Sequence, residues 1–92
     1  MTMIRRSGQW MTAQVGDELL MMSPEHEHYI GLTEVGAHIW SLLETPMSVD
    51  ALCRRLLAEF DATSDQIRTE SEDFLKELAK HGAITLVPAA AS

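Results

Sequence analysis

The chain has 92 residues, 46% of them hydrophobic, and its 14 acidic and 7 basic side chains give a formal net charge of −7. This length suits one domain with a single core and leaves no room for a second. The acidic balance argues against binding to a phosphate backbone, which depends on clustered lysine and arginine.

Other features of the sequence argue against a membrane or secreted location. No apolar run approaches the roughly 20 residues of a membrane span. Arg5 and Arg6 are not followed by the apolar segment that a signal peptide requires. The single cysteine, Cys53, has no partner for an internal disulfide, which fits a reducing compartment. We therefore expect a cytoplasmic protein with no membrane partner.

Three short strands are predicted in the first part of the chain, after residues 1–8, which show no pattern and are expected to fray. The strands span residues 9–15, 18–22 and about 26–32, with Trp10 and Met11 as the anchors of the first. Gly16 and Asp17 supply a tight turn between the first two strands. Residues 23–25, with a central proline, form the second turn. Consecutive strands joined by turns predict an antiparallel meander.

Three helices are predicted to follow, because apolar residues recur at helical spacing after good N-cap residues. Thr33 and Ser48 cap the first two helices. The third begins at Thr63, which has Gln66 at the capping-box position, or at the rival cap Ser64. The apolar stripes comprise Val35, Ile39, Trp40, Leu42 and Leu43 in the first helix, Val49, Leu52, Cys53, Leu56, Leu57 and Phe60 in the second, and Ile67, Ser71, Phe74, Leu75 and Leu78 in the third.

The end of the third helix carries strong stop signals. Lys80 and His81 suit the negative end of the helix dipole, and Gly82 suits the C′ position. Residues 83–87 then form a final short strand or an extended strap. A three-stranded antiparallel sheet followed by three helices predicts an α+β fold with a winged-helix-like arrangement.

A winged-helix arrangement raises DNA binding by a transcriptional regulator as the alternative function, with the third helix in the major groove. From residue 65 to residue 81 this helix carries five acidic side chains (Asp65, Glu70, Glu72, Asp73 and Glu77) against three basic ones (Arg68, Lys76 and Lys80). An acidic recognition helix repels phosphate, so DNA binding is the weaker hypothesis and no nucleic-acid partner is expected.

The sequence predicts no metal site, no cofactor and no catalytic residues. His26 and His28 share one face of a strand, but neither His38 nor His81 has the spacing of a third zinc ligand. Cys53 lies in a hydrophobic stripe, where a reactive thiolate is disfavoured. There is no Gly-rich phosphate loop and no GxSxG nucleophile elbow.

The third strand is the most informative stretch for function. If it lies at a sheet edge, its unpaired backbone groups can accept another chain as an added strand. Ile30 and Leu32 would face the helices, leaving Tyr29 and Gly31 on the other face. Gly31 then has two explanations: close approach of another backbone or ligand, or a tight bend into the first helix.

Three segments resemble the signature of the PqqD family: YIGLTEVGAHIWSLL at residues 29–43, SVDAL at 48–52, and FLKEL at 74–78 followed by Gly82. The similarity extends over about residues 9–87. One departure is Thr33, where the family commonly has asparagine, and both residue types cap helices.

The resemblance implies a RiPP recognition element, a winged-helix-like domain of three strands and three helices that serves the biosynthesis of ribosomally made, modified peptides. Such domains bind the leader segment of a precursor peptide and present it to a modifying enzyme, such as a radical SAM protein or a leader peptidase. In the family the leader adds to the third strand, in the groove beside the third helix. Carried over to this sequence, the peptide-binding residues are His28, Tyr29, Ile30 and Gly31 on the strand and Ile67, Ser71, Phe74, Leu75 and Leu78 on the helix.

Overall fold

A computed structural model describes residues 2–23 and 28–88 of the chain. Its elements, in chain order, are β1 (Thr2–Arg6), β2 (Met11–Val15), β3 (Glu18–Ser23), β4 (His28–Leu32), α1 (Glu34–Leu42), β5 (Met47–Ser48), α2 (Val49–Glu59), α3 (Ser64–Lys80) and β6 (Ile84–Pro88). The predicted turn at Pro24 and the predicted strand residues 26 and 27 lie outside the described ranges.

The strands form two antiparallel sheets. One has the order β2-β3-β4 and corresponds to the predicted meander; the other has the order β5-β1-β6 and was not predicted. With three helices and the final strand β6, the architecture is the α+β fold expected from the sequence, and the winged-helix-like description is compatible with it.

The prediction that residues 1–8 fray is wrong for β1. This strand pairs with β6 from Thr2↔Pro88 to Arg6↔Ile84 and also pairs with β5. Its central Ile4 is completely buried. Because the partners of β1 lie more than 40 residues away, the local sequence carries little sign of the strand.

The β2–β3 hairpin has the predicted two-residue connection. Gly16 adopts φ 63°, in the left-handed region that glycine reaches at low cost. The strands then pair from Val15↔Glu18 to Met11↔Met22. Met11 was expected to be an anchor, but its side chain is 54% exposed.

The three predicted helix starts are confirmed by their hydrogen bonds. Thr33 accepts from the backbone N–H of Gly36 at 3.0 Å, and Ser48 accepts from that of Ala51 at 3.1 Å. Thr63, rather than Ser64, caps α3 and forms the complete capping box with Gln66.

The C-terminus of α3 ends as the sequence indicates. Gly82 has φ 77° and follows the C-cap residue His81. The backbone N–H of Ala83 donates to the carbonyl of Leu78 at 2.8 Å, the six-to-one bond of a Schellman motif. This turn directs the chain from α3 straight into β6.

The helices and both sheets share one core, whose fully buried members include Ile4, Met21, Ile30, Ile39, Leu43, Leu52, Leu56, Ile67 and Leu78. Trp40 is 6% exposed, as its place in the α1 stripe predicts. The guanidinium of Arg6 lies 4.2 Å from the Trp40 ring centroid and donates to the Trp40 carbonyl, which ties β1 to α1. Leu57 was predicted to be part of the core stripe, but it is 38% exposed.

Candidate functional site

Strand β4 lies at an edge of its sheet, as the edge-strand hypothesis required. It pairs with β3 from Leu19↔Leu32 to Ser23↔His28. On its other side, no strand among the described residues pairs with it. Edge strands present a row of unpaired N–H and C=O groups that can template another strand. The outer edge of His28–Leu32 is thus not occupied by any strand that the structure describes.

The side chains of β4 alternate between the core and the surface. Ile30 is 2% exposed and lies opposite the buried Met21. Tyr29 is 66% exposed, and Gly31 is also at the surface. The strand thus has the two faces that the sequence indicated, with Ile30 and Leu32 turned toward the helices.

Helix α3 packs closely against the first turn of α1, which directly follows β4. A Cβ built on Gly36, in the first turn of α1, would lie 3.3 Å from two ring atoms of Phe74 and 3.3 Å from the Thr33 hydroxyl. A Cβ at these distances would be unusually tight, so the glycine lets the Phe74 ring pack closely against the start of α1. Because Thr33 directly follows β4, the half-buried Phe74 stands beside the point where β4 passes into α1.

The other helix-side candidates are placed differently. Ile67, Ser71 and Leu78 are buried to 1% exposure or less, so they offer no surface in the peptide-free chain. Leu75 lines a pocket of about 310 Å³ with Val49 and Leu86, next to β6. Of the five helix residues singled out from the sequence, Phe74 alone is both partly exposed and placed against the segment that follows β4.

Residues of β2 and β3 that share a sheet face with Tyr29 and Gly31 were not identified from the sequence as site residues. Met22 lies directly opposite Tyr29, and Leu20 lies opposite Gly31. The sequence signals there were partial alternation in β2 and an apolar run of strand length in β3, which predicted strands but did not indicate an exposed apolar face.

The exposed surface of α3 is acidic. Asp65, Glu70 and Asp73 line a shallow depression of about 480 Å³ together with Gln66 and Thr69. This negative surface opposes contact with phosphate.

A cross-helix ion pair also lies at the surface. Arg68 on α3 pairs with Asp50 on α2, and this hydrogen bond is the main cause of the lowered pKa of the Asp50 carboxyl. Among the described residues, no three histidine, cysteine or acidic side chains form a group that could hold a metal ion; His26 lies outside them. No helix within the described ranges has the length and apolar character to cross a membrane.

Comparison with known proteins places this geometry in a family. The model of the family described as coenzyme PQQ synthesis protein D (PqqD) matches residues 18–84. No curated protein matches the chain. One similar solved structure is TbiB1 in complex with the TbiA(β) leader peptide, at 28% identity and TM-score 0.72, covering 87% of this chain and 93% of that one.

A second similar structure is a lasso peptide synthetase B1 complexed with its leader peptide. It has a TM-score of 0.70 at 17% identity and covers 92% of this chain and 98% of the other, a likeness that concerns the fold. The family match begins at β3 and spans the edge strand β4 and all three helices, so this chain belongs to the PqqD family.

Proposed function

We propose that this protein is a non-catalytic peptide-binding module that captures the leader segment of a ribosomally made precursor peptide and presents it to a modifying enzyme. The observation that carries the proposal is the open edge of β4 in a PqqD-family fold. The similar TbiB1 was solved in complex with a leader peptide. An extended leader can supply the strand that β4 lacks.

The mechanism we propose is β-strand addition. Main-chain hydrogen bonds to His28–Leu32 set the register, and alternate side chains of the leader point toward the helices and away from them. A disordered leader loses conformational freedom on binding, so affinity depends on a few well-packed anchor residues.

Within the proposed site, the residues have different roles. The backbone of His28, Tyr29, Ile30 and Gly31 forms the hydrogen-bonding edge, and the Phe74 ring forms the helix-side wall for inward-facing leader side chains. Ile67, Ser71, Leu75 and Leu78 act beneath the surface, because their packing holds α3 at a fixed distance from the strand. Core residues thus support the proposed groove between β4 and α3 but do not line it.

The partner in this proposal is a leader-dependent modifying enzyme in the cytoplasm, such as a radical SAM protein or a leader peptidase. The module supplies no catalytic group itself. By holding the leader, it raises the local concentration of the attached core peptide at the enzyme. The acidic surface of α3 disfavours the alternative of a DNA-binding regulator.

The test is a fluorescence anisotropy titration. The labelled probe is the leader encoded by a short reading frame beside this gene, with a scrambled peptide and a labelled DNA duplex as controls. Saturable binding of the leader alone supports the proposal, whereas saturable binding of DNA without leader binding contradicts it.

A matched pair of variants locates the site. The chain has two phenylalanines, Phe74 against the start of α1 just after β4 and Phe60 at the end of α2, and both are partly buried. We expect Phe74→Ala to weaken leader binding and Phe60→Ala, an equal loss of aromatic surface elsewhere, to leave it unchanged. Equal effects of the two substitutions would contradict the assignment.

A further inference from the structure

The β2-β3-β4 sheet has an apolar face that none of the helices covers. By register and strand alternation, Met11, Ala13, Val15, Leu20, Met22 and Tyr29 all lie on the face opposite the core. Met11, Val15 and Tyr29 are 54%, 59% and 66% exposed. Large contiguous apolar surfaces on folded proteins often mark binding sites.

Gly31 forms a notch in this outer face at the open edge. A Cβ built on Gly31 has one neighbouring heavy atom within 4 Å outside its chain neighbours, Cδ2 of Leu20 at 3.9 Å. The backbone of Gly31 does not adopt a positive φ. Because the conformation there suits any residue, a tight bend does not explain the glycine, and the free space beside Leu20 is its physical consequence.

The surroundings of the notch define what can enter it. Leu20 lies directly across from Gly31, and Tyr29 lies two residues before it on the same face. At the other end a small pocket of about 210 Å³ opens between Gly31, Thr33 and Glu18. The walls are therefore mainly apolar, with one carboxylate at the rim.

A strand added to β4 places the side chain opposite Gly31 on this outer face. Neighbouring strands lie about 4.8 Å apart, so Leu20 is about 10 Å from the added strand. A large side chain can extend across the glycine to reach Leu20, but an alanine cannot. Aromatic side chains placed across from strand glycines are known to compensate for the missing side chain.

From this geometry we infer that the leader carries a large apolar side chain, aromatic foremost, at the position opposite Gly31. The notch selects it by contact with Leu20 and Tyr29. This inference rests on the proposed function and adds the class of leader that the strand accepts. It assigns an outward-facing specificity position besides the anchors that face Phe74.

The experiment uses random peptides displayed on mRNA and selected on three proteins: wild type, Gly31→Leu and Ala13→Leu. The Gly31→Leu variant fills the notch. Ala13→Leu adds the same side chain to the same face but on β2, away from the edge that receives the peptide. Circular dichroism checks that each variant folds. If Gly31→Leu does not fold, Gly31→Ala replaces it, since one methyl group fits the free space.

On wild type and on Ala13→Leu, we expect the selected peptides to share one position dominated by large apolar residues. Replacing that residue by alanine should weaken binding to wild type about 10- to 100-fold, the factor for losing one buried apolar side chain. The same replacement should leave binding to Gly31→Leu nearly unchanged.

Several results would overturn the inference. If peptides selected on wild type and on Gly31→Leu show the same preference for side-chain size, the notch does not determine which peptides bind. The same conclusion follows if the selected peptides share no position with large apolar residues. If lysine or arginine dominates that position of the selected peptides, the carboxylate of Glu18, and not the notch, determines the selection. If wild type selects no peptide at all, the proposed function fails together with the inference; in the other cases that function stands.

Discussion

Replacement of Ser71 by alanine is expected to make the protein more stable. Ser71 lies in the middle of α3, fully buried, with Ile67 and Leu75 one turn before and after it. Within the part of the chain that the structure describes, its hydroxyl has no hydrogen-bond partner. A buried unpaired polar group costs about 1–3 kcal/mol, and alanine also has the higher helix propensity by about 0.5 kcal/mol.

The substitution removes one oxygen atom, so little packing is lost. We expect a net gain of about 1–2 kcal/mol, or a rise in Tm of about 5–10 °C for a domain of this size. Urea and thermal unfolding of wild type and Ser71→Ala measure this difference in stability. The matched control is Ser41→Ala, an exposed helix serine in α1, which should change stability by about 0.5 kcal/mol or less.

An unchanged or lowered stability of Ser71→Ala would show that the hydroxyl has a partner in the folded chain. The same variant also tests the role of Ser71 at the site. If the residue acts by packing α3, leader binding by Ser71→Ala remains as in wild type. A clear loss of leader affinity would instead mean that the hydroxyl contacts the peptide.

Two further substitutions test the core and the surface ion pair. Trp40→Ala should lower the free energy of unfolding by about 3–5 kcal/mol, because the side chain is almost completely buried; a denaturant midpoint near that of wild type would contradict this. Asp50→Asn removes a carboxyl whose pKa in the folded protein is held below 3.8 by Arg68. The contribution of the ionised Asp50 to stability is fully present above the ordinary carboxyl pKa and is lost as the pH falls through the lowered pKa of the folded protein. The wild-type protein should therefore be more stable than Asp50→Asn at neutral pH and equally stable in strong acid.

The helices could be predicted closely because their signals are local. Each N-cap hydroxyl, as in Ser48, bonds a backbone N–H three residues ahead, so the whole interaction lies within one turn of sequence. The Schellman turn at Gly82 is equally local. The hairpin at Gly16 follows the same logic, since a two-residue turn needs a residue that tolerates positive φ.

The second sheet could not be predicted, because its pairing is long-range. In β1, Met3 and Ile4 are followed by two arginines, so the segment lacks the alternation of a half-buried strand. Its partner β6 comes near only after α3 turns at Gly82. Likewise β5 is two residues long and exists through its pairing with β1.

The candidate site was predictable on its strand side and only in part on its helix side. Alternation along a strand distinguishes two faces, so Tyr29 and Ile30 were assigned to opposite faces correctly. Helical periodicity shows that a residue is buried but not which neighbour it meets. Ile67, Phe74 and Leu75 therefore looked equivalent in sequence. In the fold Ile67 is fully buried, Phe74 packs against the start of α1, and Leu75 is a core residue that also lines the pocket beside β6.

Hydrogen exchange of the β4 amides, with and without a bound leader, tests strand addition most directly. Alternate N–H groups of His28–Leu32 that point to the open edge should exchange rapidly in the free protein and become protected in the complex. Protection confined to β6, or to the acidic surface of α3, with β4 unchanged would place the peptide elsewhere and contradict the account.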